Sequence, residues 1–188
     1  MALDNVAVQW PRTSRFYEPV PADEFADFAH VAAGAPAYAG PAAALATHIA
    51  KTSTVRAGAY TDLVDLLLGL DGVLFATDAA AEDEDPVIDP DGCAWIAGGL
   101  ERFVAGHEAQ FPGRDRVTFD SVAAVLRAAL NQGRLAEQQL RWLDQRLDAL
   151  RDAEGNPVQW NFTLLELRVL TVFYGRCAER GFAVYADF

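Results

Sequence analysis

Lysine is almost missing from this sequence of 188 residues, where Lys51 stands alone against fourteen arginines. Together with heavy alanine usage, that bias reads as the mark of a GC-rich genome and carries no mechanism. Acidic residues outnumber basic ones, 27 to 15, for a formal net charge of −12. Phosphate binding needs clustered Lys and Arg that release counterions, so this balance argues against nucleic acid. Anionic membrane surfaces are disfavoured for the same reason. Cysteine is scarce too. Cys93 and Cys177 form no CxxC pair and show no zinc-ligand spacing, which suits two buried thiols in a reducing compartment. Long apolar runs are absent: residues 66–68 and 73–76 fall far short of the roughly 20 residues a membrane-spanning helix needs. The opening MALDNVAVQW has no basic start, apolar block or small-residue cleavage site, so the expected location is the cytoplasm.

The familiar signatures of chemistry are missing as well. No GxGxxG, GxxxxGK[ST], GxSxG or HExxH occurs, which removes the usual marks of dinucleotide, phosphate, serine-hydrolase and zinc-peptidase sites. The nearest approach is His107-Glu108-Ala109-Gln110-Phe111, where phenylalanine stands in place of the second zinc-binding histidine. A calcium loop fails on register: with Gly92 as the loop glycine, Val87 takes the first ligand position and Gly98 the twelfth. Cys93 and His107 lie about four turns apart on one predicted helix, roughly 20 Å, too far for a nucleophile and its base. Cys177 is read as a small buried hydrophobe. No metal and no cofactor is expected, and the catalytic residues, if the chain is an enzyme, are not readable.

What remains is a globular composition, 52% hydrophobic and 22% charged with 4 Trp, 11 Phe and 5 Tyr. A single domain over residues 1–188 of this size buries about 70% of its unfolded surface. Val6, Val8 and Trp10 alternate as a short strand, and residues 23–33 place Phe25, Phe28, Ala29 and Ala32 on one helical face. A helix should start at Pro41, another after an Asp62 cap, and a third after an Asp91 cap. Residues 73–76 suit a buried strand. Thr118 is a cap with Val117 and Val122 as its hydrophobic staple, opening a helix that Gly133 closes. A leucine seam, Leu140, Leu143, Leu147 and Leu150, then completes a helical hairpin. Thr163 and Glu166 spell a capping box, with Phe162 and Leu167 as the staple, for a mostly apolar helix over 164–180. The closing FAVYADF suits a strand able to pair with residues 5–10.

The expected fold is therefore α+β and predominantly α-helical: about seven helices around the 164–180 helix, bundle-like, with a small sheet from the terminal segments. The C-terminal third, LLELRVLTVFYGRCAERGFAVYADF after a helical hairpin, resembles the end of the YfbM-like family of small uncharacterised bacterial proteins. The resemblance covers the region from Val117 onward and supplies no catalytic residues.

Two functional expectations follow. The first is a non-catalytic interaction protein of the accessory, inhibitor or immunity type. Its support is a small, acidic chain without an assembled catalytic constellation; in the acidic segment near 78–91, Glu82, Asp83, Glu84 and Asp85 read as a solvated loop, or else as a surface for a basic protein partner. The second is a small enzyme or ligand-binding protein with a pocket lined by Trp95, Trp160, Tyr174 and Arg168. Arg168 would anchor an anion there or pair with an internal carboxylate. His30, His48 and His107 belong to no cluster and are read as structural, His107 as packing or capping near a helix end. The leucine seam suits burial within its own hairpin and leaves a homo-oligomer open.

Overall fold

The computed structural model describes residues 4–13, 15–28, 40–56, 60–70, 87–130, 136–160 and 162–186. Its strands are β1 (Asp4–Val8), β2 (Thr54–Arg56), β3 (Val87–Ile88), β4 (Arg116–Val117), β5 (Phe162–Thr163) and β6 (Ala183–Ala186). Its α-helices are α1 (Pro41–Thr52), α2 (Thr61–Leu70), α3 (Pro90–Gln110), α4 (Phe119–Leu130), α5 (Ala136–Ala149) and α6 (Leu164–Glu179). The fold is predominantly helical α+β, with a small antiparallel sheet, as expected. No helix among the described residues is long and apolar enough to cross a membrane.

The four-stranded sheet has the order β2-β1-β6-β3. The two terminal strands lie at its centre, with Asn5 opposite Ala186 and Val8 opposite Ala183. The cross-strand pair Ala7 and Val184 is fully buried on one face of the sheet, and the next pair, Val8 and Ala183, is buried on the other. β6 can follow α6 so closely because Gly181 reverses the chain at φ 69°. The Phe182 N–H donates to the Cys177 carbonyl at 2.8 Å and the Gly181 N–H to that of Ala178 at 3.1 Å, the paired bonds of a Schellman ending.

α3 and α6 pack along most of their lengths and form the centre of the core. α3 contributes Ile96, Leu100, Phe103 and Val104, and α6 contributes Leu167, Leu170, Phe173 and Tyr174. Phe25 reaches in from the N-terminal segment and meets the Phe173 ring at 5.5 Å between centroids. Small residues let neighbouring helices approach α3. A Cβ on Gly99 would touch Leu67 of α2 at 3.4 Å, and one on Gly106 would lie only 3.0 Å from Val125 Cγ1 of α4.

Helix starts follow local polar chemistry. Thr163 Oγ1 accepts from the Glu166 N–H at 3.3 Å while the Glu166 carboxylate accepts from the Thr163 N–H at 2.7 Å, a complete capping box. The buried Glu166 also accepts from the Tyr60 hydroxyl at 2.9 Å. Thr118 caps α4 by accepting from the Ser121 N–H at 3.2 Å, and Ser121 Oγ returns the bond to the Thr118 N–H at 3.0 Å. Both staples are buried, Val117 with Val122 and Phe162 with Leu167.

Several expectations are corrected. α3 is capped by Asp89, not Asp91: its Oδ1 accepts from the Gly92 N–H at 2.7 Å, and Pro90 takes the first helical position. α2 begins one residue before Asp62, since the Val64 N–H reaches the Tyr60 carbonyl at 3.0 Å. Asp62 instead sits in the first turn and accepts from Trp160 Nε1 at 3.5 Å. The segment expected as a helix over 23–33 opens as a 3-10 turn, Ala22–Phe25, and residues 29–33 lie outside the described residues. The acidic loop ends earlier than expected, because Val87 and Ile88 pair with Tyr185 and Val184 as an edge strand. The strand over 73–76, the Gly133 turn, Glu82, Asp83, Glu84, Asp85 and His30 all fall outside the described residues.

Removing a buried acceptor strands its donors. Glu166→Ala should therefore destabilise by about 2–4 kcal/mol and Tyr60→Phe by only about 1–1.5 kcal/mol. Urea unfolding of both variants and their double mutant checks the ranking, and additive losses would contradict the shared bond. Gly106→Val should cost about 1–3 kcal/mol through overpacking against Val125, read from the same unfolding curves.

Candidate functional site

α3 ends in a tight turn. The Phe111 N–H closes the helix on the His107 carbonyl at 2.7 Å, and the Arg114 N–H then bonds the Phe111 carbonyl at 3.1 Å. Gly113 carries that turn at φ 75°, a left-handed conformation that costs glycine little. The chain next runs as β4 beside β5, with Arg116 opposite Thr163 and Val117 opposite Phe162. The Asp115 carbonyl accepts from the Leu164 N–H at 2.8 Å. Thr118 then caps α4, whose first two turns come back towards α3.

These three pieces border an open surface cleft of about 610 Å³, lined by His107 and Phe111 of the α3 end, residues 114–116 of the turn, and Thr118, Asp120, Ser121 and Ala124 at the start of α4. Its volume falls within the range of small-molecule sites, about 300–1,000 Å³. The Thr118 and Ser121 hydroxyls are occupied, because Ser121 Oγ also donates to the Thr118 carbonyl at 2.9 Å. Arg114 lies over the Phe111 ring at 5.9 Å.

His107 is the exceptional wall residue. It is fully buried, yet neither Nδ1 nor Nε2 has a hydrogen-bond partner among the described residues. Its ring is held between Phe103 and Phe111, one helical turn to either side, with centroids at 6.1 and 5.1 Å. Burial pushes the imidazole below its usual range, Asp115 and Glu108 pull it back, and Arg114 adds to the lowering. The neutral ring offers one donor and one acceptor. His107 is packed, as expected, and both of its ring nitrogens lie beneath the wall, closed to water and without a hydrogen-bond partner among the described residues.

The residues expected to share an aromatic pocket occupy separate places. Trp95 is 48% exposed on α3. Trp160 is buried, stacked on Phe119 at 5.7 Å. Tyr174 is buried under the sheet, where its hydroxyl accepts from Asn5 Nδ2 at 3.3 Å and desolvation raises its pKa. Arg168 lies on the surface and pairs with Glu108 at 2.6 Å. Its expected place in a central pocket is corrected: helix phase turns Arg168 outward. His48 bonds Thr54 Oγ1 at 2.9 Å beside the sheet. Cys93 and Cys177 are buried free thiols, and desolvation pushes Cys177 up to about 12. Among the described residues no group of three His, Cys, Asp or Glu side chains is placed to hold a metal ion.

The sequence carried one signal for this site that motif reading passes over. Phe103, His107 and Phe111 recur at a spacing of four, and the charged trio Arg114-Asp115-Arg116 follows directly after the helix. A scan against family models matches nothing, and neither a search of curated proteins nor one of solved structures finds a match.

The lowered His107 pKa gives a pH signature. Unfolded histidine takes up its proton near 6.5, while the folded ring resists until lower pH, so the unfolded state binds more protons in between. Stability should fall as pH drops from about 6.5. His107→Leu removes the titrating group, so urea midpoints at pH 7.5, 6.5 and 5.5 should separate from wild type in slope. Parallel pH profiles would contradict the assignment.

Proposed function

We propose that the protein binds a small molecule in the cavity at His107. The supporting observation is an open cleft of about 610 Å³ whose wall includes the fully buried His107, its two ring nitrogens lying just beneath that wall without a hydrogen-bond partner among the described residues. A buried polar atom left unpaired costs about 1–3 kcal/mol, and a ligand that supplies one acceptor and one donor removes that cost. Such a penalty is tolerated where it improves binding. The hydroxyls in the wall are committed to the α4 cap, which favours recognition over nucleophilic chemistry. The two free thiols fit a reducing compartment, and the cytoplasm is the proposed location.

A second reading, an interaction protein, draws on three large exposed aromatics: Phe16, Trp95 and Trp10. The basic partner proposed for Glu82, Asp83, Glu84 and Asp85 belongs to that reading. The cavity is the more specific feature, because an orphaned histidine has a defined chemical demand and an exposed ring has none.

A thermal-shift screen of small polar metabolites against wild type and His107→Leu tests the ligand reading. A compound present at about 100 times its Kd adds about 2.7 kcal/mol, which for a chain of this size raises Tm by about 5–10 °C. At least one compound should do so for wild type and not for the variant. Shifts shared by both proteins, or none at all, would count against it.

A further inference from the structure

A loop at the end of β1, which shares no residue with the cleft at His107, gathers two of the three large hydrophobic side chains exposed among the described residues. Beyond Val8 the chain leaves the sheet and returns to it at residues 18–20. The Gln9 N–H donates to the Glu18 carbonyl at 2.9 Å, Val8 pairs with Pro19, and the Val20 N–H donates to the Ala7 carbonyl at 2.8 Å. The residues between are thus presented from a hydrogen-bonded base. Tyr17 is half-buried, its ring 5.4 Å from that of Tyr185 in β6, and Arg12 lies over Tyr17 at 5.1 Å. Trp10 and Phe16 are turned out to solvent, 40% and 73% exposed.

Arg12 and Arg15, both exposed, are the charged side chains of this loop, and no carboxylate occurs between Asp4 and Glu18. A chain of net charge −12 therefore carries here a positive, aromatic projection. Single exposed rings are ordinary, but tryptophan, phenylalanine and arginine together on one short loop have the composition of interface anchors. The signs decide the partner. A basic segment would be repelled by Arg12 and Arg15, and an anionic bilayer would repel the acidic body behind the loop. A protein segment that is acidic over a few residues meets the loop alone, because charges farther than about 8 Å are largely screened at physiological salt. We infer that residues 10–17 dock an acidic protein segment with large apolar side chains, its carboxylates on Arg12 and Arg15 and its apolar groups on Trp10 and Phe16. This partner is opposite in charge to the one proposed for Glu82, Asp83, Glu84 and Asp85, and the inference does not rest on the ligand reading.

NMR titration of the full chain tests this with three probes: a synthetic peptide of glutamates interrupted by leucine and phenylalanine, its counterpart with lysine in place of glutamate, and phosphatidylglycerol vesicles. The acidic peptide should move the Trp10 indole signal and the amide signals of Arg12, Arg15 and Phe16, and should bind more weakly as salt is raised. Arg12→Glu/Arg15→Glu and Trp10→Ala/Phe16→Ala should each weaken it by at least about tenfold, with signals elsewhere in the spectrum showing that both variants fold. Loop signals unmoved by the acidic peptide, or moved equally by the lysine peptide, would overturn the inference. So would undiminished binding to the charge-reversed variant. Vesicles that move these signals where the acidic peptide does not would assign the loop to a lipid surface instead, and shifts that grow with protein concentration alone would assign it to a second copy of the chain; either result also overturns the inference.

Discussion

The Glu166 carboxylate is withdrawn from water at the first turn of α6, and three donors meet it there: the Thr163 N–H, the Thr163 hydroxyl and the Tyr60 hydroxyl, at 2.7 to 3.0 Å. A buried charge without such partners would be expelled or neutralised. Satisfying it fixes the start of α6 relative to Tyr60, which opens α2, and therefore joins elements far apart in the chain. β5 leads directly into this cap, and β4 pairs with β5. The turn that walls the cavity is thus fastened on one side to the same node.

On its other side the turn depends on close helix packing. α3 meets α4 where Gly106 leaves room for Val125, and the next residue is His107. Phe103 and Phe111 flank the imidazole in tilted ring contacts that do not use its nitrogens. Aromatic packing and hydrogen bonding are separate demands, and among the described residues this arrangement meets the first and not the second. A side chain that were only structural would more commonly find a carbonyl or hydroxyl, as His48 does with Thr54.

Much of the fold was legible because its signals are local. The caps at Thr118 and Thr163, the helix opening at Pro41 and the reversal at Gly181 each arise from contacts within a few residues. The pairing of the terminal segments was also accessible, since both alternate in the way a half-buried strand must. The misses have one local cause and one distant one. Asp89 and Asp91 both suit a cap, and only Pro90 between them, at home in the first helical position, selects Asp89. Val87 and Ile88 follow an acidic run, and their role as a two-residue edge strand depends on β6 being there to pair with.

The site was much less legible than the fold. Trp95, Trp160, Tyr174 and Arg168 have the right chemistry for a pocket, yet helix phase sends Trp95 and Arg168 outward and Tyr174 under the sheet. By itself the sequence determined the helices, their caps, the terminal strands and the acidic balance, because backbone hydrogen bonding and hydrophobic periodicity act over one or two turns. Only the tertiary structure decided that His107 would be buried without a partner among the described residues and that Arg114, Asp115, Arg116 and Asp120 would border the same cleft. Those facts depend on how α3, α4 and the β4–β5 pair close on one another, which no local spacing records.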